Sequence, residues 1–214
     1  MFGTENPWTN QEYGSRSPIG VRAFESARRL AFLSGSSGEG LKGDLPTLWH
    51  ATIFGPLGCQ PAERIGTYRS ALDLRAYVFA EETGKESWIT TLPDLVDVHV
   101  DEIVSEVNES VDLARALSPR EVFGLLPELL ADYYSRWLKV HPFCDGNGRT
   151  GVCLVDWICG AVGAAPFMLR SAPNTLFFGE EAEESVRVAC QKPSDRDISA
   201  LMALFAGELE ISLR

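Results

Sequence analysis

One eleven-residue segment constrains the fold more than the rest of the sequence does: His141-Pro142-Phe143-Cys144-Asp145-Gly146-Asn147-Gly148-Arg149-Thr150-Gly151. Apolar residues at helical spacing precede and follow it, which predicts a short loop joining two packed helices. The segment combines an imidazole, a carboxylate, glycines and a guanidinium. Gathered where a helix begins, these are the groups that binding and attacking a phosphate ester would require.

The second half of the segment is suited to an anion. Gly146 and Gly148 leave the backbone free to turn with several N–H groups facing one point, and the following helix adds further N–H groups at its start. Arg149 could bind a phosphate oxygen with two N–H groups. Asn147 could donate a hydrogen bond to a phosphate oxygen and tolerates a left-handed backbone.

The first half carries a candidate base and a candidate metal ligand. His141 could accept the proton of an attacking hydroxyl, and the Asp145 carboxylate suits Mg²⁺ shared with nucleotide phosphates. Structural explanations exist for both, because a histidine at a helix end is often a cap and Asp-Gly-Asn-Gly is often a turn. The joint occurrence of these groups favours the functional interpretation.

Composition limits the partners. The chain has 214 residues, 45% of them apolar, which predicts a single domain over 19–214. Residues 1–18 are polar and broken by Gly and Pro, which predicts a loose arm. A net charge of -11 disfavours nucleic-acid binding, which depends on Lys and Arg. Neither a membrane span nor a secretory signal is visible. The five cysteines match no zinc or disulfide pattern, which favours a reducing, cytoplasmic location.

Periodicity predicts a mainly α architecture with one small β element. Tyr77-Val78-Phe79 and Ser87-Trp88-Ile89-Thr90 flank a turn-like stretch, which predicts a short hairpin or flap within residues 64–91. The helix predicted over 118–138 is apolar almost all round, so it is expected to be the central buried helix, bent or loosened at Pro127. The other predicted helices cover residues 19–33, 44–54, 94–117, 149–162, 176–191 and 194–213.

The central segment resembles the signature of the Fic/Doc family, His-Pro-Phe-x-Asp/Glu-Gly-Asn-Gly-Arg-x-x-Arg, with the match running from His141 to Arg149. Weaker similarity lies upstream: residues 48–54 resemble the family's helix with its His and Phe, and residues 66–69 end on the Arg that precedes the flap. The resemblance implies a Fic-type helical bundle with a short β-hairpin flap. His50 matches only a scaffold position.

The resemblance also implies an activity: transfer of AMP, or another nucleoside monophosphate, from ATP or a related donor to a Ser, Thr or Tyr hydroxyl of a target protein. By position, His141 would be the catalytic base and Asp145 would hold Mg²⁺. Nucleotide phosphate would contact Gly146, Asn147, Gly148 and Arg149. The target protein would pair with the flap near residues 77–92. An antitoxin or regulator is a further implied partner, and secretion into a host stays open.

One departure from the signature leaves alternatives open. The second motif arginine falls at position 152, which is Val152 here. A Doc-like transfer of the terminal phosphate, or a module that binds nucleotide or a partner without catalysis, therefore competes with nucleotidyl transfer. The family's autoinhibitory signature is absent as well, because Gly35 stands where a hydroxyl residue should precede Glu39-Gly40.

Overall fold

Helices form the framework of the chain. The computed structural model describes residues 17–70, 90–166, 185, 189–190 and 197–213, and these residues include no strand. Six α-helices are present there: α1 (Pro18–Ser36), α2 (Leu45–Phe54), α3 (Val96–Arg115), α4 (Pro119–Val140), α5 (Asn147–Ala161) and α6 (Ser199–Leu213). Short 3₁₀ helices cover Gly55–Leu57, Ala62–Arg64 and Pro93–Leu95.

The mainly α prediction is confirmed, and each of these six helices lies close to its predicted range. The predicted hairpin falls largely on residues 71–89, outside the described residues, and the helix predicted over 176–191 is described only at 185 and 189–190. The N-terminal arm lies outside them as well, apart from residues 17 and 18. None of the described helices has the length and apolar composition needed to cross a bilayer.

Capping side chains set where α4 begins. The Ser118 hydroxyl accepts a hydrogen bond from the Glu121 N–H (3.4 Å), and a Glu121 carboxylate oxygen accepts one from the Ser118 N–H (2.9 Å). This reciprocal pair is the capping box that the Ser-Pro-Arg-Glu order predicts. The helix ends at His141, which has a left-handed backbone (φ 54°, ψ 58°). The start of α4 is therefore determined by local sequence.

The central helix is α5, and the prediction that α4 is central was wrong. Every residue of α5 from Thr150 to Ala161 is buried, and α5 contacts α1, α2, α3 and α4. In α4 burial begins at Leu126, while Leu125 is 52% exposed. The residues of the first two turns of α4 are exposed or half-buried. The helix continues through Pro127 without interruption.

Glycines allow α1 to lie directly against α5. A Cβ atom on Gly35 would stand 2.1 Å from the Trp157 carbonyl oxygen, and one on Gly160 would stand 2.3 Å from the Phe32 carbonyl oxygen. Only a residue without a side chain fits at such separations. This close contact fixes the axis of α5, and with it the position of the loop at its N-terminus.

Candidate active site

The loop between α4 and α5 is held closed by one side chain. Asn147 accepts a hydrogen bond from the Phe143 N–H and donates one to the Phe143 carbonyl, both at 2.8 Å. Phe143 is fully buried, and its ring stacks on His50 at 4.2 Å between centroids. Since Phe143 lies two residues after His141, at most about 7 Å along the chain, this clamp keeps His141 close to the start of α5.

Asn147 therefore differs from its predicted role in one respect. Its side-chain amide is bonded to the loop backbone rather than directed at a ligand, and it is 3% exposed. The group that it offers to an anion is its backbone N–H. In this loop His141 and Gly146 (φ 82°) have a left-handed backbone, whereas Asn147 is the first residue of α5.

His50 connects the loop to the segment before the flap. Its Nε2–H donates to the Asp145 carbonyl (3.2 Å), and its Nδ1 accepts from the Gly66 N–H (3.0 Å). Burial lowers the pKa of His50 to about 4, so the ring is neutral near pH 7 and this single tautomer satisfies both bonds. The scaffold role expected of His50 agrees with these contacts.

His141 lies at the end of α4, and one of its ring nitrogens binds a backbone carbonyl. Its Nδ1–H donates to the Leu138 carbonyl at 3.4 Å, which leaves the ring lone pair on Nε2. The residue is 8% exposed, and burial lowers the pKa of His141 to about 4. A neutral imidazole with Nε2 as acceptor is the form that general-base catalysis needs.

The first turn of α5 presents backbone donors. Its first intrahelical bond runs from the Thr150 N–H to the Gly146 carbonyl (2.9 Å), so the N–H groups of residues 147–149 have no acceptor within the helix. These groups and the positive end of the helix dipole favour an anion at this position. Gly146 must be glycine, because a Cβ there would lie 2.3 Å from the Phe54 ring.

Arg149 lies over an aromatic ring beside this turn. Its guanidinium carbon is 4.6 Å from the centroid of Phe54, and Nη2 is 3.8 Å from an Asp145 carboxylate oxygen. Burial lowers the pKa of Arg149, but a guanidinium stays charged near pH 7. Phe54 therefore orients the Arg149 guanidinium next to the backbone donors. The sequence did not predict this role for Phe54.

Asp145 lies directly before this turn. Burial raises its pKa, while the Arg149 charge and a hydrogen bond from the Gly146 N–H act in the opposite direction. The side chain remains 32% exposed, so one face can receive a cation. Among the described residues no three His, Cys, Asp or Glu side chains gather as a metal cluster. This donor set fits Mg²⁺ held chiefly by nucleotide phosphates and water, with Asp145 as its protein ligand.

Position 152 carries no charge and faces the protein interior. Val152 is 3% exposed and belongs to the hydrophobic core. Glu39, the residue nearest to an inhibitory pattern, is a surface residue that pairs with Lys42 at 2.8 Å. Neither residue therefore supplies the second arginine or the inhibitory contact of the signature.

Two further side chains belong to this region, although sequence reasoning gave them no role in chemistry. Arg69 is 3% exposed and its Nε donates to the His141 carbonyl (2.5 Å). Cys59 lies close enough to Arg149 and Asp145 to feel their charges, and burial raises the pKa of its thiol, so it is no activated nucleophile. The sequence signal for Arg69 was its place after Gly66; Cys59 had none.

Comparison with known proteins identifies the family. The model of the Fic/DOC family matches residues 49–159, more than half of the chain, and the chain belongs to that family. No curated protein matches the chain. The matched range contains the second half of α2, all of α3 and α4, the loop of His141 and most of α5.

Solved structures share the fold at low sequence identity. A Fic domain containing signaling protein from Bacteroides thetaiotaomicron is 20% identical with a TM-score of 0.69, over 91% of this chain and 69% of that one. Fic-1 from C. elegans is 20% identical with a TM-score of 0.63, and the match covers 100% of this chain and 52% of that one. BepC, a VirB-translocated effector from Bartonella tribocorum solved with bound AMPPNP, is 16% identical with a TM-score of 0.53, over 92% and 90% of the two chains.

Proposed function

We propose that this protein transfers a nucleoside monophosphate, with AMP from ATP as the first candidate, to a Ser, Thr or Tyr hydroxyl of a target protein. One observation supports the proposal: the Phe143–Asn147 clamp ties the loop that follows His141 to the first turn of α5, where the N–H groups of residues 147–149 have no acceptor within the helix. Family membership supports the reaction class.

Each of these residues has its own role in the proposed reaction. His141 Nε2 takes the proton as the target oxygen attacks the α-phosphorus. The bond from that phosphorus to the bridging oxygen breaks, and pyrophosphate leaves. The N–H groups of residues 147–149 stabilise charge on the phosphate oxygens, and Arg149 binds a neighbouring phosphate. Asp145 would hold Mg²⁺, which supplies charge neutralisation when bound.

The test follows label from the α-phosphate. The protein is incubated with α-labelled ATP, GTP, UTP or CTP, Mg²⁺ and cell lysate, and proteins are resolved by mass. We expect labelled protein with wild type and a loss of about 100-fold or more with His141→Ala. His99→Ala, on the surface of α3, is the matched control and should label normally. Equal labelling by wild type and His141→Ala would refute the proposal.

Val152 favours one second candidate, transfer of the terminal phosphate. With an apolar, buried side chain at that position, Arg149 is the motif arginine left to bind the donor phosphates. A donor oriented by one arginine could present its terminal phosphorus to the target oxygen instead. Label on the γ-phosphate would then reach the target protein and α-label would not. Nucleotide binding with no transfer of either label would favour a module that only binds.

A further inference from the structure

Arg69 contacts three consecutive carbonyl groups around His141. Its backbone N–H donates to the Pro142 carbonyl (2.8 Å), its Nε donates to the His141 carbonyl (2.5 Å), and its Nη2 donates to the Val140 carbonyl (3.0 Å). Nη2 also donates to the Thr91 carbonyl. One buried residue therefore holds the whole turn that ends α4.

A second segment joins the same turn. The Thr91 N–H donates to the Lys139 carbonyl at 3.2 Å, so Thr91 is bonded both to the end of α4 and to the Arg69 guanidinium. The carbonyls of residues 139–142 are thus all bonded to Arg69 or Thr91. Such a backbone cannot shift without breaking several hydrogen bonds together.

The turn needs this support because of its conformation. His141 is the residue other than glycine that adopts a positive φ (54°) in the described part of the chain. A left-handed conformation is unfavourable for a residue with a β-carbon, and it persists where surrounding contacts determine it. Within α4 itself, the His141 N–H has one bond, to the Trp137 carbonyl at 3.0 Å. Arg69 adds three hydrogen bonds to the carbonyls of this turn, and Thr91 adds one.

We propose that Arg69 is the positioning residue for His141: by binding the carbonyls of residues 140–142 it holds the left-handed turn that directs the imidazole toward the target hydroxyl. The inference rests on the proposed function of His141 as the base. In this proposal Arg69 acts through the backbone of the turn and not on the substrate. Replacing it should therefore reduce turnover while leaving the nucleotide site at the start of α5 intact.

The guanidinium also acts on the ring through its charge. Burial has the largest effect on the pKa of His141, the Leu138 carbonyl opposes it, and the positive charge of Arg69 lowers the pKa further. Removing that charge should move the imidazole pKa upward from about 4 toward its ordinary value. This readout does not require activity.

The experiment compares Arg69→Gln and Arg69→Lys with wild type. For the glutamine variant we expect kcat to fall about 100-fold, because small displacements of a catalytic group cause losses of this size. The Kd for MgATP should change less than about 2-fold, because the phosphate contacts stay in place. Lysine keeps the charge but not the planar fork, and it should recover part of kcat. Arg136→Gln, which removes a guanidinium bound to Glu106 on the outer side of α4 (2.5 Å), is the matched control with unchanged kcat.

NMR titration of the His141 ring provides the second measurement. Its pKa should be higher in Arg69→Gln than in wild type and close to wild type in Arg69→Lys. A glutamine variant with wild-type kcat, or with MgATP affinity reduced as much as kcat, would overturn the inference. If that variant does not fold, the same comparison is made with lysine, where an equal loss of kcat and affinity would overturn it. Wild type without transfer would instead refute the proposed function, and the titration would still test Arg69.

Discussion

Burial keeps the imidazole rings of His50 and His141 neutral, but the two residues have different roles. Burial lowers the pKa of each to about 4, so both rings are neutral near pH 7. In His50 both ring nitrogens are engaged with backbone groups, which makes it a structural bridge. In His141 the Nδ1–H is engaged with a carbonyl and the lone pair lies on Nε2. Residue type alone does not separate these roles; the partners of each ring nitrogen do.

The two depressed pKa values predict a dependence of stability on pH. Each histidine binds a proton more readily in the unfolded chain, where its pKa is near 6.5, than in the fold, where it is about 4. Their contribution is complete above pH 6.5 and is lost as the pH falls toward 4. We expect the free energy of unfolding to drop between pH 6.5 and 5 by up to about 1.4 kcal/mol per pH unit for each histidine.

Urea unfolding at pH 7, 6.5, 6, 5.5 and 5 measures this slope. His50→Gln should reduce it by about half, because one of the two buried rings is removed. His99→Gln, on α3, serves as control and should keep the wild-type slope. Stability that does not change across this range would contradict the assigned burial of both rings.

Gly148 and Gly151 differ in what they accommodate. A Cβ on Gly151 would stand 2.8 Å from the Tyr134 ring, so packing requires glycine there. On Gly148 it would meet the Tyr134 hydroxyl at 3.8 Å, an ordinary contact, and the backbone is helical without positive φ. Nothing in the described protein demands glycine at 148. A ligand that approaches the backbone closely would explain it.

Gly148→Ala should therefore separate stability from binding. In a helix alanine is more favourable than glycine by up to about 1 kcal/mol, so we expect unchanged or increased unfolding free energy together with weaker MgATP binding by titration calorimetry. Gly151→Ala, the matched control, should be destabilised by about 1–3 kcal/mol from overpacking. Full MgATP affinity in Gly148→Ala would argue against phosphate contact at this turn.

At the scale of elements, a single hydroxyl joins α4 to α5. Thr150 is fully buried, its oxygen accepts a hydrogen bond from the Trp137 indole N–H (3.0 Å), and it donates to the carbonyl of Gly146 (3.1 Å) or Asn147 (3.2 Å). The first turn of α5 is thereby fastened to the preceding helix. The sequence shows a threonine in the first turn, but it does not show which indole will reach it.

Thr150→Val tests this junction with little change in shape. The Trp137 N–H would lose its acceptor in the core, so we expect a loss of about 1–3 kcal/mol in unfolding free energy, with a lower transfer rate because the first turn of α5 is less constrained. Thr52→Val is the control: its hydroxyl bonds to the Leu48 carbonyl (2.8 Å) on the surface of α2 and should change stability by less than about 0.5 kcal/mol. Equal losses in the two variants would contradict the proposed role of the junction.

At the scale of the whole molecule, a buried ion pair ties α1 to α5. Arg28 Nε lies 2.7 Å from one Asp156 oxygen, and Nη2 lies 3.3 Å from the other, with Arg28 8% and Asp156 1% exposed. The two residues are 128 positions apart. Periodicity placed both on helices, but pairing at such separation depends on how the helices pack.

Removing one partner of this pair should be costly and removing both should not. Arg28→Met would leave the Asp156 carboxylate buried without its guanidinium, with an expected loss of about 3–5 kcal/mol by denaturant unfolding. Arg28→Met with Asp156→Leu should recover most of that loss. Arg136→Met, at the partly exposed pair with Glu106, is the control and should lose no more than about 1 kcal/mol. A double variant as unstable as Arg28→Met would contradict this account.

Local signals in the sequence predicted a large part of the fold. Helix boundaries were predictable because caps and apolar spacing act over a few residues, as the Ser118–Glu121 box shows. The centrality of α5 was not, because the apolar start of α4 looked equally buried and its exposure depends on where the neighbouring helices end.

By itself the sequence determined the helical class, the loop of His141 to Arg149 and the family to which that loop belongs. These follow from short-range chemistry: periodicity, caps and the spacing of a motif. Only the tertiary structure decided that the Asn147 amide clamps the loop, that Phe54 underlies Arg149, and that Arg69 holds the carbonyls around His141. Such contacts join residues that are distant in sequence or turned by a left-handed backbone, and their partners are set by packing rather than by spacing.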